Sequence, residues 1–528
     1  MTWGNSSNPG YTHHIEAVKQ ISFDSILTLR ILYAFVRIDS IRGPLMAART
    51  GKQYLEGLKD DRRVWLGDAQ VDVLTHPDFA GSRQGVAGYF DWQNTYAEEC
   101  LVEDGVSGAP MSASLVIPKC ARDLEIRHRC LDRLAKYSYG MLGRTPDYLN
   151  VTVAGLVARS DMFADGSRSS PHAERLIRFY RDVVEGDLAL THTIIQPAID
   201  KSIGDLQGLN GEIALRAVRR NETGVILRGA KVLATLAPFA DEIFVYPQVP
   251  LPQGTDPAYA LCFSIPMATK GLITVCRDHY GTGGDKRDHP FSSRFDEQDG
   301  FMIFDDVEVP YERLFIDCDL EAYNRIRGSG WAANAYHQTS IRAANKLEFA
   351  HQLCTQMAKL MNSESRADYA AMLGEIWAYA QLTRSAIKAA EAGAYEWGNG
   401  AVLCDDQPLR ALRDVMPTWM ARVNEIVRTI GSHNLIATPS LRAFDNPVMA
   451  KLLERYLPGA RGVSAQERAQ VFRTAWDFVG SALGGRVELY EKFYLASQPR
   501  NYVRDHIQSM QDEEFGRGLQ TFLHDLTS

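Results

Sequence analysis

The sequence predicts a mainly helical protein with a central β domain. Three observations carry this prediction. Apolar residues recur at intervals of three and four before residue 190, short β-rich runs lie between about 205 and 316, and long helical periods return from about 335. The order of elements is therefore helices, a compact β domain and a helical bundle.

Residues 1–46 form a first segment that differs from the rest of the chain. They begin with the polar run TWGNSSNPG, whereas Met46 opens a stretch typical of a domain start. We interpret the segment as an N-terminal extension, either translated from an upstream start codon or serving as an oligomerisation arm. A helical domain over 47–190 follows, with its clearest helices at 122–139 and 172–184.

The β domain is predicted over 191–318. Its runs of β-favouring residues lie at 213–218, 225–227, 243–246, 259–265, 272–276 and 301–309. The segment from 292 to 315 predicts an amphipathic strand hairpin. Within it, Arg294, Asp296 and Glu297 are expected to form structural ion pairs rather than to act in catalysis.

The last segment, 319–528, predicts a helical bundle. Apolar residues mark one helix face between 412 and 430 and another between 373 and 387. Several long helices with short connections indicate an antiparallel arrangement.

Composition restricts the function. Hydrophobic residues make up 45% of the 528 residues and charged residues 23%, which are ordinary globular values. A net charge of -8 indicates no basic surface for nucleic acid or an anionic membrane. The cysteines are scattered and include no CxxC pair, so we expect no bound metal and a reducing, cytoplasmic location.

The common nucleotide and hydrolase motifs are absent from the sequence. There is no GxGxxG, GxxxxGK[ST], HExxH or GxSxG. Reducing equivalents for a redox reaction are therefore expected to arrive on a cofactor that is already reduced. The Gly-rich stretch at 281–286 lacks phosphate-loop spacing and predicts a mobile loop, with 281–284 a candidate lid.

Two polar segments can carry chemistry. GRTPDYLN supplies the donor fork of Arg144 and the phenol of Tyr148 four residues later, and THTIIQPAIDK supplies the imidazole of His192 at a domain junction. Each segment also has a structural interpretation. Arg144 can form a surface pair with Asp147, and His192 can be a hydrogen-bonded structural residue.

Eight segments in order resemble one family, the bacterial 4-hydroxyphenylacetate 3-hydroxylases. They are RTGKQYLEGLK, THPDF, MLGRTPDYLN, THTIIQP, GAKVLAT, HPFSSRFDEQD, FDDVEVPYERLF and GGRVELYEKFY, and the resemblance covers about residues 47–510. The resemblance implies an acyl-CoA-dehydrogenase-like fold with N-terminal helices, a central β-barrel and a C-terminal four-helix bundle. It also implies the oxygenase component of a two-component flavin-dependent monooxygenase, usually a homotetramer built as a dimer of dimers.

The chemistry that this resemblance implies is hydroxylation of a phenol ortho to its hydroxyl group through a flavin C4a-hydroperoxide, as in aromatic catabolism. The cofactor is reduced FAD, with FMNH2 possible, the co-substrate is molecular oxygen, and a separate NAD(P)H–flavin reductase supplies the reduced flavin. Two alternatives on the same fold are a 4-hydroxybutyryl-CoA dehydratase, which requires closely spaced cysteines, and a non-catalytic relative.

The same resemblance places Arg144, Tyr148 and His192 around the oxygen of the phenol. The flavin contacts that it implies are His192, Thr193, Ile194, Ile195, Ala198, Ile199, Asp200, Lys201, Thr235, Ser497, Gln498, Pro499 and Arg500. Gln248 and Val249 stand where relatives acting on 4-hydroxyphenylacetate carry a hydroxyl pair. Because that loop helps hold the substrate tail, we expect a phenol whose para substituent is neutral or differently placed.

Overall fold

A computed structural model of the chain describes residues 48–163, 170–200, 202–204, 206, 208–247, 249–281, 284–494 and 497–527. The chain divides into residues 1–45 and 46–528, and the predicted extension lies outside the described residues.

The N-terminal region is built mainly from helices. They are α1 Gly51–Gly57, α2 Ala80–Thr95, α3 Ala97–Cys100, α4 Ala121–Lys136, α5 Pro146–Ala158 and α6 Pro171–Gly186. The predicted helices at 122–139 and 172–184 are confirmed as α4 and α6. Ser170 caps α6 through its side chain, and Pro171 occupies the first helical position, where a missing N–H is harmless. Helix α5 is buried along nearly its whole length, consistent with its apolar sequence.

Two sheets form the central domain. Their strands are β1 Arg63–Leu66, β2 Ala69–Val71, β5 Leu190–His192, β6 Arg216–Arg220, β7 Gly224–Thr235, β8 Glu242–Val245, β9 Leu261–Pro266, β10 Leu272–Cys276, β11 Asp299–Pro310 and β12 Leu314–Asp317; a separate pair is β3 Leu101–Glu103 with β4 Pro110–Ser112. The orders are β2-β1-β10-β11-β7-β6 and β12-β9-β8-β5. Every predicted β-rich run overlaps a strand. Side chains from both sheets share one apolar core.

The structure corrects two sequence-based expectations about strands. The hairpin predicted at 292–315 is wrong, because β11 pairs with β7 and β10, whereas β12 pairs with β9 in the other sheet. Pro310 lacks an N–H for further pairing, and a 3-10 turn over Tyr311–Arg313 redirects the chain. The hairpin β1–β2, within the region predicted as helical, joins the six-stranded sheet beside β10. Its strands are too short to show a clear alternation.

The C-terminal region is a helical bundle. Its core helices are α8 Trp331–Leu360, α9 Ala367–Ala392, α10 Gln407–Gly431, α13 Ala465–Val479 and α14 Ala482–Phe493. The remaining elements are α7 Leu320–Arg325, β13 Tyr395–Gly398, β14 Ala401–Leu403, α11 Asn434–Ala437, α12 Pro447–Tyr456, α15 Gln498–Ser509 and α16 Glu513–Asp525. The apolar face predicted between 412 and 430 is buried on α10. Among the described helices, none has the length and apolar character to cross a membrane.

Candidate active site

One large cleft lies where the N-terminal helices, the sheets and the bundle meet. Its volume is about 2260 Å³, well above the roughly 300–1,000 Å³ typical of a pocket for one small ligand. The wall includes Arg144 before α5, His192 at the end of β5, Thr235 at the end of β7 and Arg486 on α14. Three separate parts of the chain therefore supply polar groups to one space.

Arg144 is held at the start of α5 by a buried carboxylate. The backbone N–H groups of Gly143 and Arg144 donate to Glu297 Oε1 at 2.7 and 2.5 Å. The guanidinium carbon lies 3.9 Å from the centre of the Tyr148 ring, and Nη2 donates to the carbonyl of Tyr494 at 3.2 Å. Nη1 is buried without a hydrogen-bond partner among the described residues. A buried donor of this kind is normally paired, so a ligand acceptor is expected here.

The suggested surface pair between Arg144 and Asp147 is wrong. Asp147 is buried and accepts hydrogen bonds from Tyr89 at 3.0 Å and from Gln338 at 2.8 Å. The Asp147 carboxylate therefore fixes α5 to its neighbours, whereas Arg144 is one of the residues that line the cleft.

Tyr148 lies between Arg144 and His192. The rings of Tyr148 and His192 are 5.4 Å apart between centroids, and His192 meets the edge of Tyr246 at 5.7 Å. Burial, and then the positive charge of Arg144, hold the pKa of His192 well below its usual range. The imidazole is therefore neutral. Tyr148 is buried behind Arg144 and does not itself line the cleft.

Among the described residues of the predicted flavin-contacting segment 192–201, only those in its first half line the cleft. Ile194 and Ile195 line the wall, and Thr193 is buried with Oγ1 donating to the carbonyl of Val232 at 2.9 Å. Ala198, Ile199 and Asp200 are exposed and lie away from the lining, and Asp200 accepts hydrogen bonds from Ser202. Lys201 lies outside the described residues.

The remaining predicted flavin and substrate contacts also divide into residues that line the cleft and residues that do not. Thr235, Val249 and Arg500 line the cleft, whereas Ser497, Gln498 and Pro499 do not. Gln498 Nε2 instead donates to the carbonyl of Asp414 at 2.5 Å. The predicted substrate contact Gln248 lies outside the described residues. Two positions of the candidate lid, Thr282 and Gly283, also lie outside them.

The acidic residues before β11 support the site rather than react in it. Asp296 pairs with Arg277 at 2.7 Å and Glu297 with Arg486 at 2.5 Å, as predicted. Arg294 differs, because it forms no ion pair among the described residues and donates to the carbonyl of Pro290 at 2.9 Å. Glu297 therefore links α14 to the backbone that carries Arg144.

Lys231 was missed at the sequence level. It lies on β7 and lines the cleft with Leu233 and Thr235, yet it has no carboxylate partner among the described residues. Burial lowers the pKa of Lys231 to about 7, and its Nζ reaches the carbonyl of Ile194 at 3.4 Å. Leu233 lies between Lys231 and Thr235 on β7 and has φ +64 beside a β-bulge. This local backbone geometry helps aim the Leu233 side chain into the cleft. The alternate positions of Lys231, Leu233 and Thr235 in the motif GAKVLAT are the sequence signal that could have placed Lys231 in the site.

One group outside the cleft has side chains that suit a cation. His128, His337 and Glu391, from three helices, bring potential ligand atoms within 4.8 Å of one another. Both imidazoles hydrogen-bond to the Glu391 carboxylate. Burial lowers the pKa of His337 to about 4, and the positive charge of Arg127 also contributes to this shift. Because that charge opposes a second cation, we interpret the group as a hydrogen-bonded structural network. Within the described residues, no cysteine joins a comparable cluster.

The cleft suits a flavin together with an aromatic substrate. Arg144 Nη1 and the ammonium of Lys231 require acceptors or negative charge, and the ring carbonyls and phosphates of a flavin supply both. Exposed apolar side chains on the wall, including Leu233, Val249 and Phe493, offer surfaces for ring packing.

Comparisons with known proteins agree with this geometry. The family models described as 4-hydroxyphenylacetate 3-hydroxylase N terminal and C terminal match residues 50–316 and 326–513. The chain is 34% identical over 460 residues to the 4-hydroxyphenylacetate 3-monooxygenase oxygenase component of Thermus thermophilus, covering 86% of this chain and 93% of that protein. It is 30% identical over 466 residues to the oxygenase component of a 4-nitrophenol 2-monooxygenase of Rhodococcus, covering 87% and 86%.

A solved structure is similar over nearly the same length. It is the oxygenase component of 4-hydroxyphenylacetate 3-monooxygenase complexed with FAD and 4-hydroxyphenylacetate. The TM-score is 0.84 and the identity 33%, and the match covers 91% of this chain and 99% of that one. The acyl-CoA-dehydrogenase-like fold expected from the sequence is confirmed.

Proposed function

Because this chain belongs to the 4-hydroxyphenylacetate 3-hydroxylase family, we propose that it is the oxygenase component of a two-component flavin-dependent monooxygenase that hydroxylates a phenol ortho to its hydroxyl group. One observation carries the proposal. Arg144, whose buried Nη1 has no hydrogen-bond partner among the described residues, lines a cleft large enough for a flavin and a phenol, and the neutral imidazole of His192 lines the same cleft.

The chain's own residues act on the phenol. A phenol becomes more nucleophilic at its ortho carbon as its proton is lost, and Arg144 provides an aimed donor for the developing phenolate. Tyr148 supports that guanidinium by stacking against it. His192, being neutral, either accepts the phenol proton or holds the reacting oxygen in position. The bound reduced flavin supplies the activation of oxygen.

The reductant is reduced FAD, with FMNH2 as the alternative, delivered by a separate NAD(P)H–flavin reductase, and molecular oxygen is the co-substrate. The absence of a nucleotide-binding fingerprint from the sequence supports this division of labour. The names of the relatives, which describe an oxygenase component, support it as well. For flavin contact we retain the predicted residues that line the cleft, His192, Ile194, Ile195, Thr235 and Arg500.

The assembly is a homotetramer, and the C-terminal helices are its suggested contact surface. Helices α15 and α16, with the residue that follows α15, expose large apolar side chains that are each more than half exposed: Val503, Ile507, Met510, Phe515, Leu519 and Phe522. Large apolar side chains exposed in this number suggest a protein contact. Light scattering coupled to size exclusion tests this, and a monomeric mass would contradict it.

A product assay tests the activity. The protein is incubated with a panel of phenols, FAD, NADH and a generic flavin reductase, and catechol products are identified by mass. We expect ortho hydroxylation of at least one phenol and no turnover when the reductase is omitted. Product formation from NADH without a reductase would contradict the two-component assignment, and no product from any phenol would contradict the substrate class.

A further inference from the structure

Two arginines, Arg327 and Arg504, line the cleft where it opens to solvent. Both are exposed, whereas His192 in the same lining is buried. Arg327 lies in the 3-10 turn Ile326–Ser329 before α8, and Arg504 shares a face of α15 with Asn501, which is buried and also lines the cleft. Partial burial, and then the charge of Arg504, lower the pKa of Arg327. Two elements distant in sequence therefore bring like charges close together.

Neither arginine has a carboxylate partner among the described residues. Arg504 Nη2 donates to Asn501 Oδ1 at 3.1 Å, and the adjacent Asp505 is instead paired with Arg410 and Arg413. Like charges at short range repel each other, and an anion bound between them removes the repulsion. Because the guanidinium fork matches the oxygens of a carboxylate or a phosphate, the two arginines suit an oxyanion.

Carboxylates elsewhere in the cleft do not supply that anion. Among the described residues, the lining contains two, Asp256 and Asp299. Asp256 accepts from the N–H of Ala258 at 2.9 Å, and Asp299 is held by Arg277 and Arg486. The positive charge at the opening of the cleft is therefore available to a ligand.

The loop after β8 ties Arg327 to the wall where the tail of the phenol is expected. Val249 and Leu251 in this loop line the cleft. The side-chain amide of Asn324, on α7, accepts from the Leu251 N–H and donates to the Leu251 carbonyl, each at 2.9 Å. Because Asn324 lies three residues before Arg327, these two hydrogen bonds fix the loop to the start of the turn that carries Arg327.

The other end of the same turn is fixed close to His192. Trp331, four residues after Arg327, begins α8, and its ring meets the Tyr246 ring at 5.2 Å between centroids. Tyr246 in turn meets His192 at 5.7 Å. Arg327 is therefore held between the loop of Val249 and the aromatic residues next to His192.

We propose that Arg327 and Arg504 bind an oxyanion at the outer end of the para substituent of the phenol. The inference rests on the proposed function and narrows its substrate class. Close to the ring the substituent is neutral, because Val249 has no donor to offer it. Its acidic group, a carboxylate or a phosphate ester, lies at the opening of the cleft. The substrate is thus a phenol with an extended acidic chain, and Arg500, one turn earlier on α15, stays with the flavin.

Binding of matched ligands to the full chain loaded with reduced FAD, in the absence of oxygen, tests the proposal. 5-(4-Hydroxyphenyl)pentanoate is compared with its neutral amide, and 4-hydroxyphenylacetate with its own amide. The long acid should bind about 10-fold or more tightly than its amide, as expected for hydrogen bonds to a charged group. The short acid should gain no more than about 2-fold. Equal affinity of the long acid and its amide, or a larger gain for the short acid, would overturn the proposal.

Arg327→Gln and Arg504→Gln each remove one cation and keep a polar side chain. Each should weaken binding of the long acid about 3–10-fold, as expected for an exposed charge-assisted contact, and leave its amide within about 2-fold. Arg325→Gln is the matched control, because Arg325 is exposed, lies two residues before Arg327 and is outside the lining. A loss of the same size in Arg325→Gln would reveal a general effect of net charge and overturn the site.

A phosphate ligand distinguishes the two kinds of oxyanion. 3-(4-Hydroxyphenyl)propyl phosphate carries more charge than the pentanoate at neutral pH. Tighter binding of the phosphate, lost in both arginine variants, would identify a phosphate ester as the natural group. Tighter binding of the pentanoate, lost in the same variants, would identify a carboxylic acid. Insensitivity of both ligands to both substitutions would overturn the proposal.

The diphosphate of FAD is the competing occupant, and titration with reduced FAD and reduced FMN separates it from the phenol. Arg327→Gln and Arg504→Gln should change both flavin affinities by less than about 2-fold. A loss specific to FAD, with unchanged affinity for the long acid, would assign the arginines to the cofactor and overturn the inference.

Failure of the inference and failure of the proposed function look different in the wild-type protein. If neutral phenols bind and are hydroxylated but the long acid gains nothing over its amide, only this inference is overturned. If the protein binds neither reduced FAD nor any phenol, charged or neutral, the proposed function is overturned as well.

Discussion

The guanidinium carbon of Arg144 lies 3.9 Å from the centre of the Tyr148 ring, whose other neighbour in the site is the imidazole of His192, 5.4 Å away between centroids. A permanent cation, a phenol and a neutral imidazole therefore form one stack. The charge of Arg144 also contributes to the low pKa of His192. A change at Arg144 therefore alters both the hydrogen-bond donors offered to the phenol and the proton affinity of His192.

Arg144→Lys should lower the hydroxylation rate by about 10²–10³-fold. Lysine keeps the charge but loses the planar fork, and losing one aimed donor to a developing oxyanion costs about this much. Product formation is measured at saturating reduced FAD, with FAD binding titrated separately and expected to change far less. The control is Arg366→Lys, an exposed residue paired with Asp368. Near-normal turnover in Arg144→Lys would rule out its proposed role.

His192 should make the folded protein less stable in mild acid. Its pKa is well below the usual value of about 6.5, so below that pH the unfolded chain binds a proton that the folded chain does not. Stability is thus full above about pH 6.5 and falls as the pH drops. In His192→Gln, the fall in the free energy of unfolding should be shallower by up to about 1.4 kcal/mol per pH unit.

Urea unfolding of wild-type protein and His192→Gln across this pH range gives the comparison. His506→Gln, at an exposed position, serves as the control and should retain the wild-type slope. Parallel curves for wild-type protein and His192→Gln would show that the imidazole is not buried in its neutral form.

Lys231→Met should stabilise the protein and weaken its ligand binding. The pKa of Lys231 is lowered to about 7 by burial, so its charge is costly at and below pH 7, and the cost is relieved as the pH rises toward about 10.4. The melting temperature should therefore increase most at or below pH 7. Reduced FAD should bind about tenfold or more weakly, as expected for loss of a charged donor.

Lys388→Met, at an exposed position on α9, is the matched control and should change neither quantity. An unchanged melting temperature together with unchanged FAD binding in Lys231→Met would mean that the buried ammonium already has a partner.

Glu491→Gln should destabilise the bundle by about 3–5 kcal/mol, the usual effect of breaking a buried ion pair. Glu491 on α14 accepts from Arg342 at 2.8 and 2.9 Å and from Lys346 at 3.0 Å, and all three side chains are buried. Removing the carboxylate charge leaves two cations without compensation. Chemical denaturation measures the loss in free energy of unfolding.

Glu488→Gln on the same helix provides the comparison. Glu488 pairs with Arg428, and both side chains are at least one third exposed, so the loss should be about 0–1 kcal/mol. Similar losses for the two variants would contradict the buried network as the source of the stability.

The side chain of Val249 should weaken the binding of 4-hydroxyphenylacetate. Val249 lines the cleft and is half exposed, and it cannot donate to a carboxylate tail. Val249→Ser should strengthen binding of 4-hydroxyphenylacetate by about 2–10-fold, the value of one hydrogen bond. Binding of an uncharged para-substituted phenol should change little. Tightest wild-type binding of 4-hydroxyphenylacetate among the phenols tested would contradict the expected neutral para substituent.

Much of the fold follows from local sequence. The strands over 224–235, 272–276 and 299–310 overlap runs of β-favouring residues, and the buried face of α10 follows the periodic apolar residues between 412 and 430. Pattern alone misses short or redirected pieces. The four-residue strand β1 is too short for alternation to be visible, and the turn at Tyr311–Arg313 sends the chain to a second sheet through contacts far along the sequence.

The sequence by itself determined the order of helical and β regions, the family resemblance and the candidates Arg144, Tyr148 and His192, because periodicity and motifs are local properties. The tertiary structure alone decided which polar atoms have partners. Glu297 holds the backbone of Arg144 across 153 positions, and Asp299 directs the hydroxyl of Thr235 across 64. Burial and hydrogen-bond direction depend on residues that are distant in sequence, and they set whether a group faces the cleft as a donor, an acceptor or an unpaired charge.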